Sequence, residues 1–175
     1  MLKELLVRRK SAILDKWINR ILGYYPPESF KFLASQKDRF ANPIGYTVSV
    51  SAGAVLDELV GDGDPLITEA LLKDVVKMKA VQEFSPSQAL RFVFDLKDVI
   101  RHEINEQTVE PVDIGELAEY ESKIDGWALV AFDSYMEARE RLFRIRLNEV
   151  KARSLQAMTM NEGLRSNGNG NGTAM

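Results

Sequence analysis

Three prolines, each preceded by a side chain that caps helices, divide the middle of this sequence into segments. The pairs are Asn42-Pro43, Asp64-Pro65 and Ser85-Pro86. Proline fixes φ near the helical value and lacks the N–H that a first turn could not pair. Asn, Asp and Ser side chains accept hydrogen bonds from the free N–H groups of that turn. The pattern therefore predicts helices that begin at residues 43, 65 and 86.

Apolar spacing fills in the remaining helices. Leu5, Ile13, Trp17 and Ile21 lie on one stripe of a first helix, and a short helix is predicted to run to about Phe40. The helix from residue 43 is expected to end at Gly61, and its small residues favour close packing. The segment TVSVSAGAV alternates as a strand would, but the wider spacing favours a helix. The sequence thus predicts an all-α fold of about six helices.

The last helix is predicted to be unusually long. Asp113 and Glu116 have the spacing of a capping box, and the apolar pattern then continues from Ile114 to Met158. The pair Asp125-Gly126 is the expected point for a bend. We therefore predict one all-helical domain over residues 1–158 and a disordered, low-complexity tail over residues 159–175.

Composition narrows the chemistry available to the chain. Its 175 residues are 45% hydrophobic and 28% charged, as in an ordinary globular domain, and its net charge of −3 does not favour nucleic acid. There is no cysteine and only one histidine. These counts exclude disulfides and thiolate metal sites. We therefore predict a protein that is not an enzyme and carries no cofactor or metal.

The amino-terminal residues MLKELLVRRK are charged from the third position and do not resemble a signal peptide. The longest uncharged apolar run, residues 127–132, is too short to cross a bilayer. A cytoplasmic location without membrane insertion is therefore expected.

The single histidine, His102, lies in the apolar segment 84–104. At about 100° per residue it falls opposite the apolar arc of that helix, between Asp95 and Asp98. We therefore expect an exposed histidine that pairs with Asp98, and two solvated carboxylates. A haem or another small cofactor on His102 is the alternative interpretation.

Segment 137–153 is the most basic part of the chain. It holds six basic and three acidic residues, and apolar residues occupy much of the helix circumference. A solvated face beside a helix–helix seam is the favoured interpretation. Docking onto a larger complex through the arginines is the alternative. The arginines concerned are Arg139, Arg141, Arg144 and Arg146.

Two segments carry a resemblance to a known family. DRFANPIGYTVSVSAGAVLDEL (38–59) and MKAVQEFSPSQALRFVFDLKDVIRHEI (78–104) resemble the amino-terminal domain of RsbR-type proteins, the co-antagonists of RsbT in bacterial stress signalling. The resemblance covers about residues 1–150. It implies a globin-like, haem-free, dimeric sensor domain whose terminal helix carries the signal. No STAS-like or kinase-like segment follows Arg165, so the sequence is either truncated or that of a domain that acts through separate partners.

Together these observations predict a non-enzymatic signalling domain that forms a homodimer through its long last helix. Binding of a ligand or of a protein partner would shift helix packing along that helix. The residues expected in the dimer interface are Trp127, Tyr135, Leu142 and Ile145.

Overall fold

The computed structural model describes residues 2–35, 38–107 and 112–168, with side chains described as far as Asn161. Six α-helices account for nearly all of these residues, and no strand occurs among them. The helices are α1 (Leu2–Leu22), α2 (Pro27–Ser35), α3 (Pro43–Val60), α4 (Pro65–Val81), α5 (Pro86–Gln107) and α6 (Ile114–Gly168). The predicted all-α class and the number of helices are confirmed.

The helix starts follow the capping chemistry of the sequence. Asn42 Oδ1 accepts a hydrogen bond from Gly45 N at 2.8 Å, and Asp64 Oδ1 accepts one from Leu66 N at 2.9 Å. At the start of α5 the box is reciprocal, because Ser85 N donates to Gln88 Oε1 at 3.1 Å and Gln88 N to Ser85 Oγ at 3.4 Å. These bonds satisfy N–H groups that the first helical turn leaves unpaired.

The carboxyl-terminal ends of two helices, α2 and α6, differ from the predictions. The second helix stops at Ser35, before Phe40, which lies in a turn. Helix α6 passes through residues 125 and 126 without interruption and ends at Gly168 rather than at Met158. No proline interrupts the segment beyond Met158, and Met160 and Leu164 are strong helix formers. Residues 169–175, the rest of the predicted tail, lie outside the described residues.

The chain divides into two compact units, and the division falls between Ala138 and Arg139, inside α6. In the first unit α1 is central: it packs against α3 and α5, while α3 packs on α4. Its buried face comprises Leu2, Leu5, Leu6, Ile13, Trp17, Ile21 and Leu22. Of the second unit, the structure describes residues 139–168, which are helical, and the predicted domain limit at residue 158 falls within them.

The amino-terminal part of α6 is tied to the helices of the first unit by polar contacts. Glu116 accepts hydrogen bonds from the backbone N–H groups of Leu2 and Lys3, both at 3.2 Å. Arg101 of α5 forms a two-pronged ion pair with Glu121, at 2.6 and 2.9 Å. Such fixed paired geometry positions residues 114–138 against α1 and α5.

No helix of the described part of the chain combines the length and the apolar character that a membrane span requires.

Candidate functional site

Lys79, near the end of α4, is completely enclosed by the first unit. None of its surface is exposed, and its Nζ atom has no hydrogen-bond partner among the residues that the structure describes. Nζ lies 4.6 Å from the ring centroid of Phe84, 5.3 Å from Tyr25, 5.6 Å from Tyr24 and 5.8 Å from Phe92. We call Lys79 and these four rings the lysine cage. Each ring is within the distance at which an aromatic face attracts a cation.

Local chain geometry brings the rings to one place. Tyr24 and Tyr25 follow the end of α1, where their N–H groups donate to the carbonyls of the last helical turn. Phe84 lies in the turn between α4 and α5, next to Glu83, whose φ of 63° is left-handed. That conformation costs a non-glycine residue about 1 kcal/mol, and it reverses the chain within a few residues. The turn thereby places Phe84 over the lysine that precedes it.

Hydrogen bonds hold the rings and their supports. Tyr25 Oη donates to Gln82 Oε1 at 2.8 Å, and Tyr135 Oη of α6 donates to the carbonyl of Phe84 at 2.7 Å. Trp17 Nε1 donates to the carbonyl of Phe92 at 2.7 Å. The cage is therefore connected to α1, α4, α5 and the first part of α6.

Asp95 is the carboxylate whose negative charge acts on Lys79. It is only 4% exposed, its Oδ2 accepts a hydrogen bond from the Tyr24 hydroxyl, and Arg91 lies 3.8 Å from its Oδ1. The expectation that Asp95 is solvated is wrong, because the end of α1 covers this edge of α5. The sequence offered no signal of this burial, because helical spacing places Asp95 beside the polar face of α5 and does not show that another helix covers it.

Burial determines the protonation chemistry of the cage. Removal from water lowers the pKa of Lys79 to about 8, although the negative charge of Asp95 opposes the shift. Burial and, for Tyr24, the hydrogen bond with Asp95 raise the pKa of both Tyr24 and Tyr25 to about 12. The phenols therefore stay neutral in the physiological range, while the amine is close enough to its pKa to exist in both forms.

The four residues predicted for a dimer interface fall into two groups, two in each compact unit. Trp127 and Tyr135 are 9% and 3% exposed and belong to the core of the first unit, so their side chains contact the same chain instead of facing outward. Leu142 is half-buried and Ile145 is exposed, and both lie in the second unit. The aromatic side chains were assigned to an interface because helical spacing alone does not show which face the rest of the chain covers.

The second unit exposes apolar side chains that the prediction did not select. Phe143, Leu147 and Val150 follow one another at helical spacings of four and three residues, with 66%, 40% and 63% of their surfaces exposed. Helical residues at such spacings lie on one face. Of the four predicted docking arginines, Arg139 is half-buried, while Arg141, Arg144 and Arg146 are exposed.

The first unit has an apolar surface of its own between α5 and α6. Phe94, Leu129 and Phe132 are about half or more exposed around a cavity of about 410 Å³ with Leu90 and Ala128 at its base. Nothing in the sequence distinguished these side chains from core residues, since both kinds recur with the same helical period.

His102 is exposed on α5, as the helical geometry predicts. Its Nε2 atom lies 3.2 Å from Glu106 Oε1, so the partner is the carboxylate one turn later and the predicted pairing with Asp98 is wrong. Asp98 instead lies 3.6 Å from Arg20 of α1. Among the described residues no group of three or more His, Cys, Asp or Glu side chains is arranged to hold a metal ion.

An all-α domain that exposes apolar side chains on its helices has a feature typical of interaction domains. Comparison with known proteins identifies the family. Residues 11–150 match the family described as the RsbT co-antagonist protein rsbRD N-terminal domain. The chain belongs to this family, a family of regulatory domains in stress signalling, and the predicted resemblance is confirmed.

An archaeal relative extends the comparison. An uncharacterized protein of Archaeoglobus fulgidus is 23% identical over 145 residues, which are 82% of this chain and 85% of that protein. No solved structure gives a significant match.

Proposed function

We propose that this chain is a non-enzymatic, cytoplasmic signalling domain that forms a homodimer through α6 and transmits the binding of a ligand or a protein partner along that helix. The observation that carries the proposal is the apolar row of Phe143, Leu147 and Val150, which is exposed to solvent in the single chain. A second copy of the helix would bury this row, and apolar burial is the main driving force of association. Membership of a stress-signalling family supports a regulatory role.

The proposed signal requires a change in helix packing, and we propose that opening of the lysine cage is that change. A ligand can shift a domain only between arrangements that differ by a few kcal/mol. Enclosing an amine without a hydrogen-bond partner destabilises the closed arrangement, and attraction by the rings stabilises it. Because these contributions oppose each other, the free-energy difference between the closed cage and an arrangement in which Lys79 is exposed to water is small. Because Tyr135 of α6 is bonded to the turn at Phe84, a change in the cage would reach α6 directly.

The oligomeric state tests the proposal, with Val150→Asp as the variant and Asn148→Asp as the matched control. Both add one negative charge to exposed positions of the same helix turn, but only Val150 is apolar. In sedimentation velocity at micromolar concentration we expect a dimer for the wild type and for Asn148→Asp. Val150→Asp should raise the dimer dissociation constant at least about tenfold, the equivalent of 1.4 kcal/mol. A monomeric wild type, or equal effects of the two substitutions, would contradict the proposal.

Docking onto a protein partner is a second proposed use of the same unit. The Arg144 side chain is 76% exposed, and its contact with Glu140 is a long one of 3.5 Å within the same helix. Exposed arginines of this kind can pair with acidic groups of a partner. Reversal of Arg141 and Arg144 to Glu, which leaves Arg146 beside the apolar row unchanged, should then weaken partner binding, and unchanged binding would count against docking there.

A further inference from the structure

A cavity of about 630 Å³ lies between α1, α2 and α3, away from the lysine cage. Its volume is within the range of small-molecule pockets, about 300–1,000 Å³. Leu22 and Leu33, which are 1% and 7% exposed, are part of its lining, and the partly buried side chains of Leu14 and Ile18 extend the apolar surface along α1. The apolar part of the lining therefore suits a hydrocarbon group.

Within the described ranges of the chain, Asp15 is the one acidic residue in the lining of this cavity, and no basic residue belongs to it. Asn19, one turn further along α1, and Ser49 of α3 add uncharged polar groups, and the Ser49 hydroxyl already donates to Gly45 O at 2.8 Å. Among the described residues Asp15 has no ion-pair partner. Three basic residues of α1 are committed to other carboxylates. These pairs are Lys10 with Asp57, Lys16 with Glu103 and Glu106, and Arg20 with Asp98.

We propose that this cavity binds a small cationic amphiphile, an alkyl amine whose ammonium group pairs with Asp15 while its chain lies on Leu14, Ile18 and Leu33. The inference rests on the proposed function, because it gives the ligand class that a signalling domain of this kind would detect. An unpaired carboxylate beside an apolar surface attracts a cation and repels a carboxylate-bearing ligand such as a fatty acid. Arg39, whose guanidinium lies 5.7 Å from the ring centroid of Tyr46, is near the cavity but not part of its lining.

The test compares three probes of equal chain length: octylamine, octanol and octanoate. Binding is followed by chemical-shift changes of the full-length protein. We expect saturable binding in the order octylamine, octanol, octanoate. Asp15→Asn should weaken octylamine binding about threefold to fivefold, the effect of one exposed ion pair, and leave octanol unchanged. Asp74→Asn, which removes an exposed acid of α4 outside this lining, is the matched control and should change neither probe.

A second variant tests whether the probes bind in the cavity, independently of the charge of Asp15. Ala34→Trp places a large ring at the lining and should abolish binding of both octylamine and octanol, with thermal unfolding used to confirm that the variant is folded. The proposal is overturned if no probe binds saturably up to about 1 mM, if octanoate binds best, or if Asp15→Asn and Asp74→Asn behave alike. Its failure would leave the dimer untouched, because the sedimentation experiment uses no ligand and a different part of the chain.

Discussion

At the scale of single residues, the protonation of Lys79 is the most consequential feature. The amine has lost its contact with water and, in the described part of the chain, has no hydrogen-bond acceptor. The rings and the nearby charge of Asp95 favour its protonated form. Cation–π attraction offsets part of the desolvation cost but seldom all of it. The folded state therefore holds its proton less tightly than the unfolded chain does.

This difference predicts how stability depends on pH. Since the pKa of Lys79 falls from 10.5 to about 8 on folding, the unfolded chain binds more protons between pH 8 and 10.5. The contribution of Lys79 to the free energy of unfolding should then rise across this window by about 3 kcal/mol. Tyr24 and Tyr25, whose pKa values are raised to about 12, reverse the trend above pH 10. Urea unfolding at a series of pH values measures both slopes.

The substitution Lys79→Met isolates the lysine contribution. It should stabilise the protein at pH 7 and remove the Lys79-dependent rise in the free energy of unfolding between pH 8 and 10.5. The fall in the free energy of unfolding above pH 10, which is due to the two tyrosines, should remain. Lys77→Met, at an exposed position of the same helix, is the matched control and should retain the rise. If both variants keep the rise, burial of the Lys79 charge does not cause it.

Residues such as Lys79 show why the candidate site was not predicted from the sequence. Charged side chains are usually exposed, and nothing beside Lys79 in the chain signals that four rings from three separate segments will surround it. The same holds for Glu103, which is 1% exposed and paired with Arg9 at 2.5 Å and Lys16 at 2.8 Å. Their burial results from tertiary packing, which helical periodicity does not encode.

At the scale of helices, local chemistry was the reliable guide. The starts of α3, α4 and α5 follow from proline and its capping neighbour, because both act within one turn. The end of α3 likewise follows from Gly61, whose φ of 94° suits glycine. The end of α6 was predicted too early because the polar, glycine-containing composition of residues 159–168 was given more weight than their helix propensity.

Asn42 joins two helices and gives a prediction at this scale. Besides capping α3, its Nδ2 donates to Leu33 O of α2 at 2.8 Å, and the residue is only 1% exposed. Asn42→Ala should therefore lower the free energy of unfolding by about 2–3 kcal/mol, because it removes the cap and leaves a buried carbonyl without this donor. Chemical denaturation measures the change.

The exposed cap Asp64 is the control for Asn42. Asp64→Ala removes a cap of the same kind at the start of α4 without breaking a link between helices, so that a cost of about 1 kcal/mol is expected. Asn42→Asp keeps the capping oxygen but turns a carboxylate toward the Leu33 carbonyl, and should also cost more than Asp64→Ala. Equal effects at the two caps would show that the bond to α2 contributes little.

At the scale of the whole molecule, the division of the chain at residue 138 separates a unit with a packed core from a helical segment with exposed apolar side chains. A chain ended after Ala138 keeps the buried core and the polar ties of Glu116 and Glu121. It should unfold cooperatively and be monomeric in sedimentation experiments, because the proposed dimer row is removed. A dimer of this shortened chain would instead place the interface on the first unit, where Phe94, Leu129 and Phe132 are exposed.

The complete enclosure of Lys79 has a consequence for covalent regulation. Enzymes that acetylate or methylate lysines need the amine and part of its stem in their own active site, and the closed cage withholds both. Lys79 can therefore be modified only in molecules whose cage has opened. An acetyl group would abolish the charge that the rings attract, and it would bring an amide into a space without a hydrogen-bond partner, so that reclosure would be disfavoured. A transient opening of the cage would in this way lead to a covalent modification that persists after the opening.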